Sequence, residues 1–174
     1  RSTLFPYTTL FRSVCSSTPA VAAGVFTTNQ VKAAPVLLSI DRLKQGRCQA
    51  LLVNSGNANA CTGDRGMQDA LAMARLAAEA CDADEGQVLV LSTGVIGESL
   101  PVSRMNEGLD AAYAALSEDG WLDAAHAIMT TDTIPKLASR RLVAGGRTAA
   151  VSGMAKRAGM IRPDMATMPA FLAT

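Results

Sequence analysis

The sequence has little net charge and no region dominated by one charge sign. Its 16 basic and 15 acidic residues give a formal net charge of +1, and the two kinds are interspersed along the chain. We therefore do not expect a charged surface that could hold a phosphate backbone or an anionic membrane. The sequence also lacks an apolar run near the roughly 20 residues that a bilayer-spanning helix requires. We expect a soluble, cytoplasmic protein that binds neither nucleic acid nor membranes.

Common catalytic and nucleotide-binding motifs are missing as well. The single histidine, His126, falls in a predicted helix with Trp121 and Ile128. We interpret it as a partly buried packing residue rather than the base of a Ser-His-Asp device. Neither GxGxxG nor GxxxxGKS/T occurs, so the chain lacks the glycine patterns that bind dinucleotides and triphosphates. A nucleophile in this protein must use a base other than histidine.

The cysteines do not form a metal-binding or redox motif. No two of them have CxxC spacing, and none lies near the histidine in sequence. A zinc site is therefore not expected. We expect buried, inert thiols in a reduced intracellular compartment, at all four positions: Cys15, Cys48, Cys61 and Cys81.

The composition is that of one compact domain, preceded by a segment of different character. The chain has 174 residues, of which 49% are hydrophobic and 18% charged, which is enough for a sizeable core. Residues 1–13 show a short near-mirrored pattern without periodicity, and they lack the continuous apolar stretch of a signal peptide. We interpret residues 1–13 as a non-native tail or assembly scar and exclude them from the fold.

From Val14 onward, strand-like and helix-like segments alternate. Two short apolar runs, 49–53 and 87–91, read as buried strands, and each ends in a polar loop, at 54–59 and 92–97. A later pair of segments reads as a β-hairpin with a glycine-rich turn: 137–143, 144–147 and 148–152. Residues 153–174 read as a loop. The alternation predicts a layered α/β architecture.

Three amphipathic helices are predicted between these strands. One begins at Asp64 as its cap, one is opened by Pro101, and one spans 119–129. Their expected buried faces recur at spacings of three and four: Met67, Leu71, Ala74, Ala78, Cys81, Met105, Leu109, Ala112, Leu116, Trp121, Ala125 and Ile128.

The third helix ends in three hydroxyls and a carboxylate, at residues 130–133. Such a cluster suits contact with a ligand. Thr and Asp side chains also commonly satisfy backbone groups where a helix ends, and on these residues alone we favour that local role.

A threonine that becomes the first residue of a new chain carries its own base. Its α-amino group has an unperturbed pKa near 7.7–8.0 and lies within reach of its hydroxyl. The amine is released only when the preceding peptide bond is cut. The sequence around Thr167 is relevant for this reason.

Residues 159–168, GMIRPDMATM, resemble the self-cleavage site of the ornithine acetyltransferase family, also called glutamate N-acetyltransferase, of arginine biosynthesis. Six further segments resemble blocks of that family, and they occur in the family's order. These are AGVFTTN (23–29), AAPV (33–36), NSGNANA (54–60), STGVIG (92–97), MTTDT (129–133) and GMAK (153–156). The resemblance covers residues 14–174.

The resemblance implies a cleavage between Ala166 and Thr167 that yields an α subunit and a β subunit. Residues 14–166 would belong to the α subunit and residues 167–174 would begin the β subunit. Thr167 would be the nucleophile, taking acetyl from N-acetylornithine and passing it to glutamate. Thr93 and Gly94 match the family's oxyanion-stabilising pair, and Thr130, Lys156 and Thr167 match its substrate contacts, with Thr131 as the alternative to Thr130.

The resemblance also implies the fold and the partners. The fold would be a layered α-β-β-α sandwich of the self-processing ornithine-acetyltransferase or DmpA-like type, incomplete in this chain. Two α and two β subunits would form a heterotetramer. No metal or cofactor is implied, whereas acetyl-CoA is a second acetyl donor in bifunctional members. Because the family's β subunit continues beyond Thr174, we expect this chain alone to be inactive.

Alternatives remain at the level of single motifs and of the whole chain. Taken singly, Thr93 with Gly94 is a strand-end turn and Lys156 a solvated surface cation. We interpret residues 54–59 as an asparagine-rich loop that holds its own backbone. The whole chain could instead be a related self-processing aminopeptidase, or a folded remnant without chemistry.

Overall fold

The computed structural model of the chain describes residues 10–130, 132–156 and 169–174. Helices and strands alternate through this part of the chain. In order they are β1 (Leu10–Val21), α1 (Ala34–Arg42), β2 (Arg47–Asn57), α2 (Gly63–Cys81), β3 (Val88–Val95), α3 (Val102–Ala114), α4 (Trp121–Ala127), β4 (Lys136–Ala144), β5 (Arg147–Ala155) and β6 (Ala170–Ala173).

The strands form two three-stranded sheets. In the first sheet, β2 lies between β1 and β3, and it pairs antiparallel with β1 and parallel with β3. In the second sheet, β5 lies between β4 and β6, and both pairings are antiparallel. The parallel pair brings the C-terminal ends of β2 and β3 to the same edge of the first sheet.

Helices α1, α2 and α3 cover one face of the first sheet. Strands β2 and β3 each present alternate apolar side chains to this face, as a pleated strand requires. The fully buried members of this core include Ala50, Leu52, Ala70, Met73, Ala77, Val88, Val90 and Met105.

The opposite face of the first sheet packs against α4 and the second sheet. Val53 of β2 contacts Ala125 and Ile128, which lie in and just after α4, together with Met154 of β5. Leu51 and Leu91 pack against the same cluster, which we call the second core. The chain is thus a mixed α/β protein whose helical layer, first sheet and second sheet belong to the predicted sandwich.

Helix α1 was not predicted, and it protects the outer edge of β3. The Ser39 hydroxyl donates to the carbonyl of Val90 at 2.8 Å and accepts from its N–H at 3.2 Å. The Arg42 guanidinium donates to the carbonyl of Val88 at 2.7 Å and pairs with Glu85 at 3.1 Å. Burial lowers the pKa of Arg42, and the neighbouring Glu85 opposes that shift. These contacts satisfy edge groups that would otherwise invite pairing.

Both predicted strands are longer than their apolar runs. Strand β2 continues through Asn57 and β3 through Val95, so much of the two predicted loops is strand. The reason is that the two polar ends pair with each other, with Asn54 opposite Ser92. Strand β1 begins at Leu10, so residues 10–13 lie inside the fold that we expected to start at Val14, because their backbone pairs with β2.

The predicted hairpin is present. The prediction that residues 153–174 form a loop is wrong at both ends of that range, where the structure has strands. Gly145 and Gly146 form the turn with φ of 58° and 75°, a left-handed conformation at both positions that favours glycine. Strand β5 runs on to Ala155, and residues 170–173 form β6. Both segments are short, with three residues in 153–155 and four in 170–173, and so give little strand signal in sequence.

All three predicted helices are present, but their bounds and their buried residues differ from the prediction. Helix α2 begins at Gly63 after Thr62, so Asp64 lies inside the first turn and is not the cap. Its buried face centres on Ala70, Met73 and Ala77, while Met67, Leu71 and Cys81 are only partly buried. In α3 the prediction holds for Met105 and Leu109, whereas Leu116 lies beyond the helix and is exposed. His126 is exposed, with Nδ1 2.9 Å from the carbonyl oxygen of Leu122.

The expectation of four buried thiols is wrong. Cys15 of β1 and Cys81 at the end of α2 are joined by a disulfide, although 66 residues separate them in sequence. Cys61 is exposed and Cys48 is half-buried. Burial raises the pKa of the Cys48 thiol, and backbone hydrogen bonds oppose this. Sequence spacing could not reveal a pair that only the packing of α2 beside the first sheet brings together.

In the part of the chain that the structure describes, no helix combines the length and the apolar character needed to cross a bilayer.

The different states of the four cysteines predict different rates of reaction with iodoacetamide in the absence of reductant. We expect rapid modification of exposed Cys61, slow modification of Cys48 because its raised pKa keeps it protonated, and none of Cys15 or Cys81. Peptide mapping by mass spectrometry measures this. Reduced, unfolded protein is the control and should label at all four positions. Labelling of Cys15 and Cys81 in the native, unreduced protein would contradict the disulfide.

Candidate active site

The predicted oxyanion pair lies at the C-terminal end of β3. Thr93 is opposite Ser55 of β2, and Gly94 is opposite Gly56. Thr93 is half-buried and Gly94 is exposed. The pair therefore stands where the first sheet meets solvent, which suits groups that must reach a ligand.

Position 94 requires glycine. Its φ is 139°, and a Cβ atom placed there would overlap the backbone carbonyl group of Gly56 and come within 2.6 Å of the nitrogen of Asn57. Two glycines facing each other across β2 and β3 thus allow the two backbones to approach closely. This contact fixes Gly94 against β2.

The side chain of Thr93 lies on the face of β3 that is turned toward the second core. Leu91 packs against that core, and residues two apart on a strand share a face, so Thr93 lies on the α4 side of the sheet. Its neighbour Ser55 has its hydroxyl 3.4 Å from the carbonyl oxygens of both Ile128 and Met129. Ser55 therefore links the sheet edge at Thr93 to the chain that leaves α4.

Thr130 comes directly after this linked segment and is exposed. Its N–H lies 3.5 Å from Oδ2 of Asp132, whose side chain is almost fully buried and pairs with Lys136 at 2.6 Å. The Lys136 ammonium also donates to the carbonyl of Ile134 at 3.0 Å. Asp132 thus has the local backbone role that was favoured from sequence. Thr131 lies outside the described residues.

Lys156 follows β5 and is buried, with only 7% of its surface exposed. This burial contradicts the interpretation as a solvated surface cation. Its N–H donates to the carbonyl of Pro169 at 3.0 Å. Among the described residues its ammonium group has no hydrogen-bond or ion-pair partner. A buried lysine is rare in proteins, so the burial of Lys156 distinguishes it from an ordinary surface lysine.

The structure describes four of the six predicted site residues. Thr93, Gly94, Thr130 and Lys156 lie among the described residues, whereas Ala166 and Thr167 lie outside them. The elements that carry these four residues pack against one another. Met154, two residues before Lys156, packs with Val53 and with Ile128 in the second core. The ends of β3, α4 and β5 are therefore attached to one cluster.

Two residues that support this arrangement were not singled out from sequence. Ser55 links β2 to α4, and Asn57 contacts the segment that follows Gly94. The available signal was the run of polar residues directly after the apolar run of β2. The interpretation that this run holds its own backbone is confirmed, because Asn54 donates to the carbonyl of Asn57 at 2.6 Å and the N–H of Asn59 donates to Oδ1 of Asn57 at 2.7 Å.

The close approach at position 94 predicts a strong effect of adding one methyl group. We expect Gly94→Ala to destabilise the purified protein more than Gly97→Ala, measured as the free energy of unfolding in denaturant. Gly97 also has positive φ, at 83°, but no atom lies within 4 Å of its added Cβ. Gly97→Ala should therefore cost only about 1–3 kcal/mol of backbone strain. Equal losses for the two variants would contradict the steric argument.

Comparison with known proteins gives consistent matches. The model of the ArgJ family matches residues 10–174. The arginine biosynthesis bifunctional protein ArgJ of Symbiobacterium thermophilum is 56% identical over 161 residues, which are 92% of this chain and 40% of that protein. The protein of the same name from Geobacter sulfurreducens is 55% identical over 161 residues, 92% of this chain and 41% of that protein. The chain thus spans about two-fifths of the length of these relatives.

Solved structures of proteins with related names also match this chain in fold and sequence. The crystal structure of the arginine biosynthesis bifunctional protein ArgJ from Bacillus halodurans matches with a TM-score of 0.82 and 38% identity, covering 92% of this chain and 83% of that one. The structure of ornithine acetyltransferase complexed with ornithine, from Mycobacterium tuberculosis, matches with a TM-score of 0.74 and 41% identity, covering 88% and 78%. On sequence and fold together, this chain belongs to the ArgJ family.

Proposed function

We propose that this chain is part of a self-cleaving acetyltransferase of arginine biosynthesis in which Thr167 is the nucleophile. The observation that carries the proposal is the extent of the family match. It runs unbroken from residue 10 to residue 174 and so includes the oxyanion pair, Lys156 and the cleavage motif. Because the chain spans two-fifths of its curated relatives, the activity belongs to the full-length gene product.

The lengths of the relatives support a protein made of two chains. The matched stretch is 83% of the solved Bacillus halodurans chain and 40% of the curated Symbiobacterium thermophilum sequence. The solved chain is therefore roughly half as long as the curated sequence. A cleavage such as the one proposed before Thr167 would account for that difference.

The first step releases the α-amine that later serves as the base. The Thr167 hydroxyl attacks the carbonyl carbon of Ala166, and the acyl group moves from the Thr167 nitrogen to its oxygen. Water then hydrolyses the resulting ester, leaving a carboxylate on Ala166 and a free α-amine on Thr167. That amine is the base that the chain otherwise lacks, since it can take the proton from the hydroxyl beside it.

The second step transfers acetyl through this hydroxyl. Thr167 attacks the acetyl carbonyl of N-acetylornithine, ornithine leaves with the proton, and the acetyl group remains on the threonine oxygen. The amine of glutamate then attacks that ester, which gives N-acetylglutamate and free enzyme. Thr93 and Gly94 stabilise the negative oxygen of both tetrahedral intermediates, as donors held rigidly at the end of a strand can.

Lys156 and Thr130 recognise the amino-acid part of the substrates. Ornithine and glutamate each carry an α-carboxylate, and the ammonium of a largely buried lysine attracts it more strongly than that of an exposed one, because less water screens the pair. The bond from the Lys156 N–H to Pro169 supports this role, since Thr167 precedes Pro169 by two residues in the chain. Thr130, exposed at the end of α4, supplies an uncharged hydrogen-bonding group.

The same proposal includes the partners. The β subunit that begins at Thr167 completes the site, and two copies of each subunit form the assembly, in the cytoplasm and without a bound cofactor. Acetyl-CoA would be a second donor, which the word bifunctional in the relatives' names supports. Acetyl transfer is preferred over peptide hydrolysis because the matched structure from Mycobacterium tuberculosis is named an acetyltransferase.

The cleavage proposal predicts the masses of the gene product. The full-length protein should appear by intact mass spectrometry as two fragments divided before Thr167. Thr167→Ala should remain one chain without acetyltransferase activity, since it lacks the attacking oxygen. Thr148→Ala, which changes an exposed threonine of β5, is the matched control and should cleave normally. An intact, inactive wild-type protein would overturn the proposal.

The role of Lys156 predicts a loss of substrate affinity. In the cleaved enzyme, Lys156→Met keeps an unbranched side chain that is one atom shorter and removes the charge. KM for N-acetylornithine should therefore rise about 10-fold to 100-fold, as loss of a charged hydrogen bond of about 1.5–3 kcal/mol implies. Lys44→Met, at an exposed pair with Asp41, is the control. Steady-state kinetics measures both. A wild-type KM in Lys156→Met would contradict the assignment.

A further inference from the structure

Two backbone segments run side by side after β2 and β3 end. The N–H of Ala58 donates to the carbonyl of Val95 at 2.8 Å, and the N–H of Gly97 donates to the carbonyl of Ala60 at 2.9 Å. These bonds continue the contact between the two strands into residues 58–60 and 95–99. The segment 95–99, which we call the oxyanion loop, directly follows Gly94.

The side chain of Asn57 joins the two segments further along. Its Nδ2 donates to the carbonyls of Glu98 at 3.1 Å and Ser99 at 3.2 Å, and its Oδ1 accepts from the N–H of Asn59 at 2.7 Å. Both amide hydrogens and the amide oxygen are therefore used. The residue is only 7% exposed. Among polar side chains of the described residues, this amide is the one that reaches across from β2 to the oxyanion loop.

The oxyanion loop itself is exposed at every position from Val95 to Ser99. An exposed backbone segment has few packing contacts and is expected to open easily. A buried amide that bonds two of its carbonyls opposes this opening, because breaking those bonds leaves desolvated groups unpaired. The asparagine therefore holds the loop from the side that is protected from water.

The anchored loop and the glycine contact act on the same residue. Gly94 lies against the backbone of Gly56, and Asn57 is the next residue of that strand. Gly94 is thus fixed from one side by β2 and, through the oxyanion loop, by the side chain of Asn57. Donors of an oxyanion site must be held close to their working position, since small displacements weaken them.

We propose that Asn57 is a positioning residue for the oxyanion donors Thr93 and Gly94. It acts through the backbone of the oxyanion loop and does not touch the substrate. This inference rests on the proposed function, in which Thr93 and Gly94 stabilise the tetrahedral intermediates. It adds a residue whose contribution should appear in kcat rather than in substrate affinity.

Asn59 provides the comparison for a purely structural role. It is also buried, and its side chain donates to the carbonyl of Gly66 at 2.8 Å and accepts from the hydroxyl of Thr62 at 2.8 Å. Both partners belong to the start of α2, so Asn59 holds a helix and not the oxyanion loop. The two asparagines lie two residues apart and permit the same substitution.

The test uses Asn57→Asp and Asn59→Asp in the full-length, cleaved enzyme, with activity normalised to the cleaved fraction. In Asn57→Asp a carboxylate faces the two carbonyls to which the amide donated hydrogen bonds. We expect kcat to fall about 10-fold to 100-fold, less than the 10²–10³ typical of removing an oxyanion donor outright. KM for N-acetylornithine should change less than about threefold. Asn59→Asp should lower the unfolding midpoint and leave kcat near wild type.

A pH profile separates positioning from general damage. Protonation of the new carboxyl at position 57 restores one donor, so the kcat of Asn57→Asp relative to wild type should rise as pH falls. Asn59→Asp should show no such rise. Asn57→Ser, which removes the loop bonds without adding charge, should show the lowered kcat at every pH, and it replaces Asn57→Asp if that variant does not fold.

The outcomes distinguish the two proposals. An uncleaved, inactive wild-type enzyme would overturn the proposed function. An active wild type, together with Asn57 variants whose kcat matches that of Asn59→Asp, would overturn the positioning role and leave the proposed function intact. A lowered kcat accompanied by an equal rise in KM for the Asn57 variants would also count against it, because a misplaced oxyanion donor need not weaken ground-state binding.

Discussion

Strand β2 is covered by apolar groups on both faces, and the arrangement of the other elements depends on this double burial. Leu52 packs among the three helices, whereas Val53, the next residue, packs against α4 and the second sheet. Alternate side chains must point in opposite directions, so β2 can satisfy both only between two layers. Because β3 runs parallel to β2, polar residues that follow both strands meet at one edge.

The candidate site is built at that edge from backbone as much as from side chains. Gly56 and Gly94 allow close contact between the two strands, Ser55 reaches the end of α4, and the second core holds β5 beside it. A rigid, mostly apolar support thus carries a small number of polar groups. Such supports are what allow donors and cations to remain in place without reorganising during a reaction.

Sequence was informative where a local signal existed. The periodicity of apolar residues predicted α2 and α3, and the paired glycines predicted the turn of the hairpin. The motifs and their order indicated the family. It was uninformative where structure arises from tertiary contact, as for α1, whose Ser39 and Arg42 bond an edge strand about 50 residues later in the chain. The polar end of β2 read as a loop for the same reason, since its strand partner is remote. The burial of Lys156 and the disulfide at Cys15 likewise depend on packing between distant segments.

The pairing of β5 with β6 has a consequence for the proposed cleavage. Strand β5 ends at Ala155 and β6 begins at Ala170, so the bond between Ala166 and Thr167 lies in the connection between two adjacent strands of one sheet. If the cleavage proposed above takes place there, the ladder between β5 and β6 would join two polypeptides. The second sheet would then be shared between them, and its hydrogen bonds would hold the two products together.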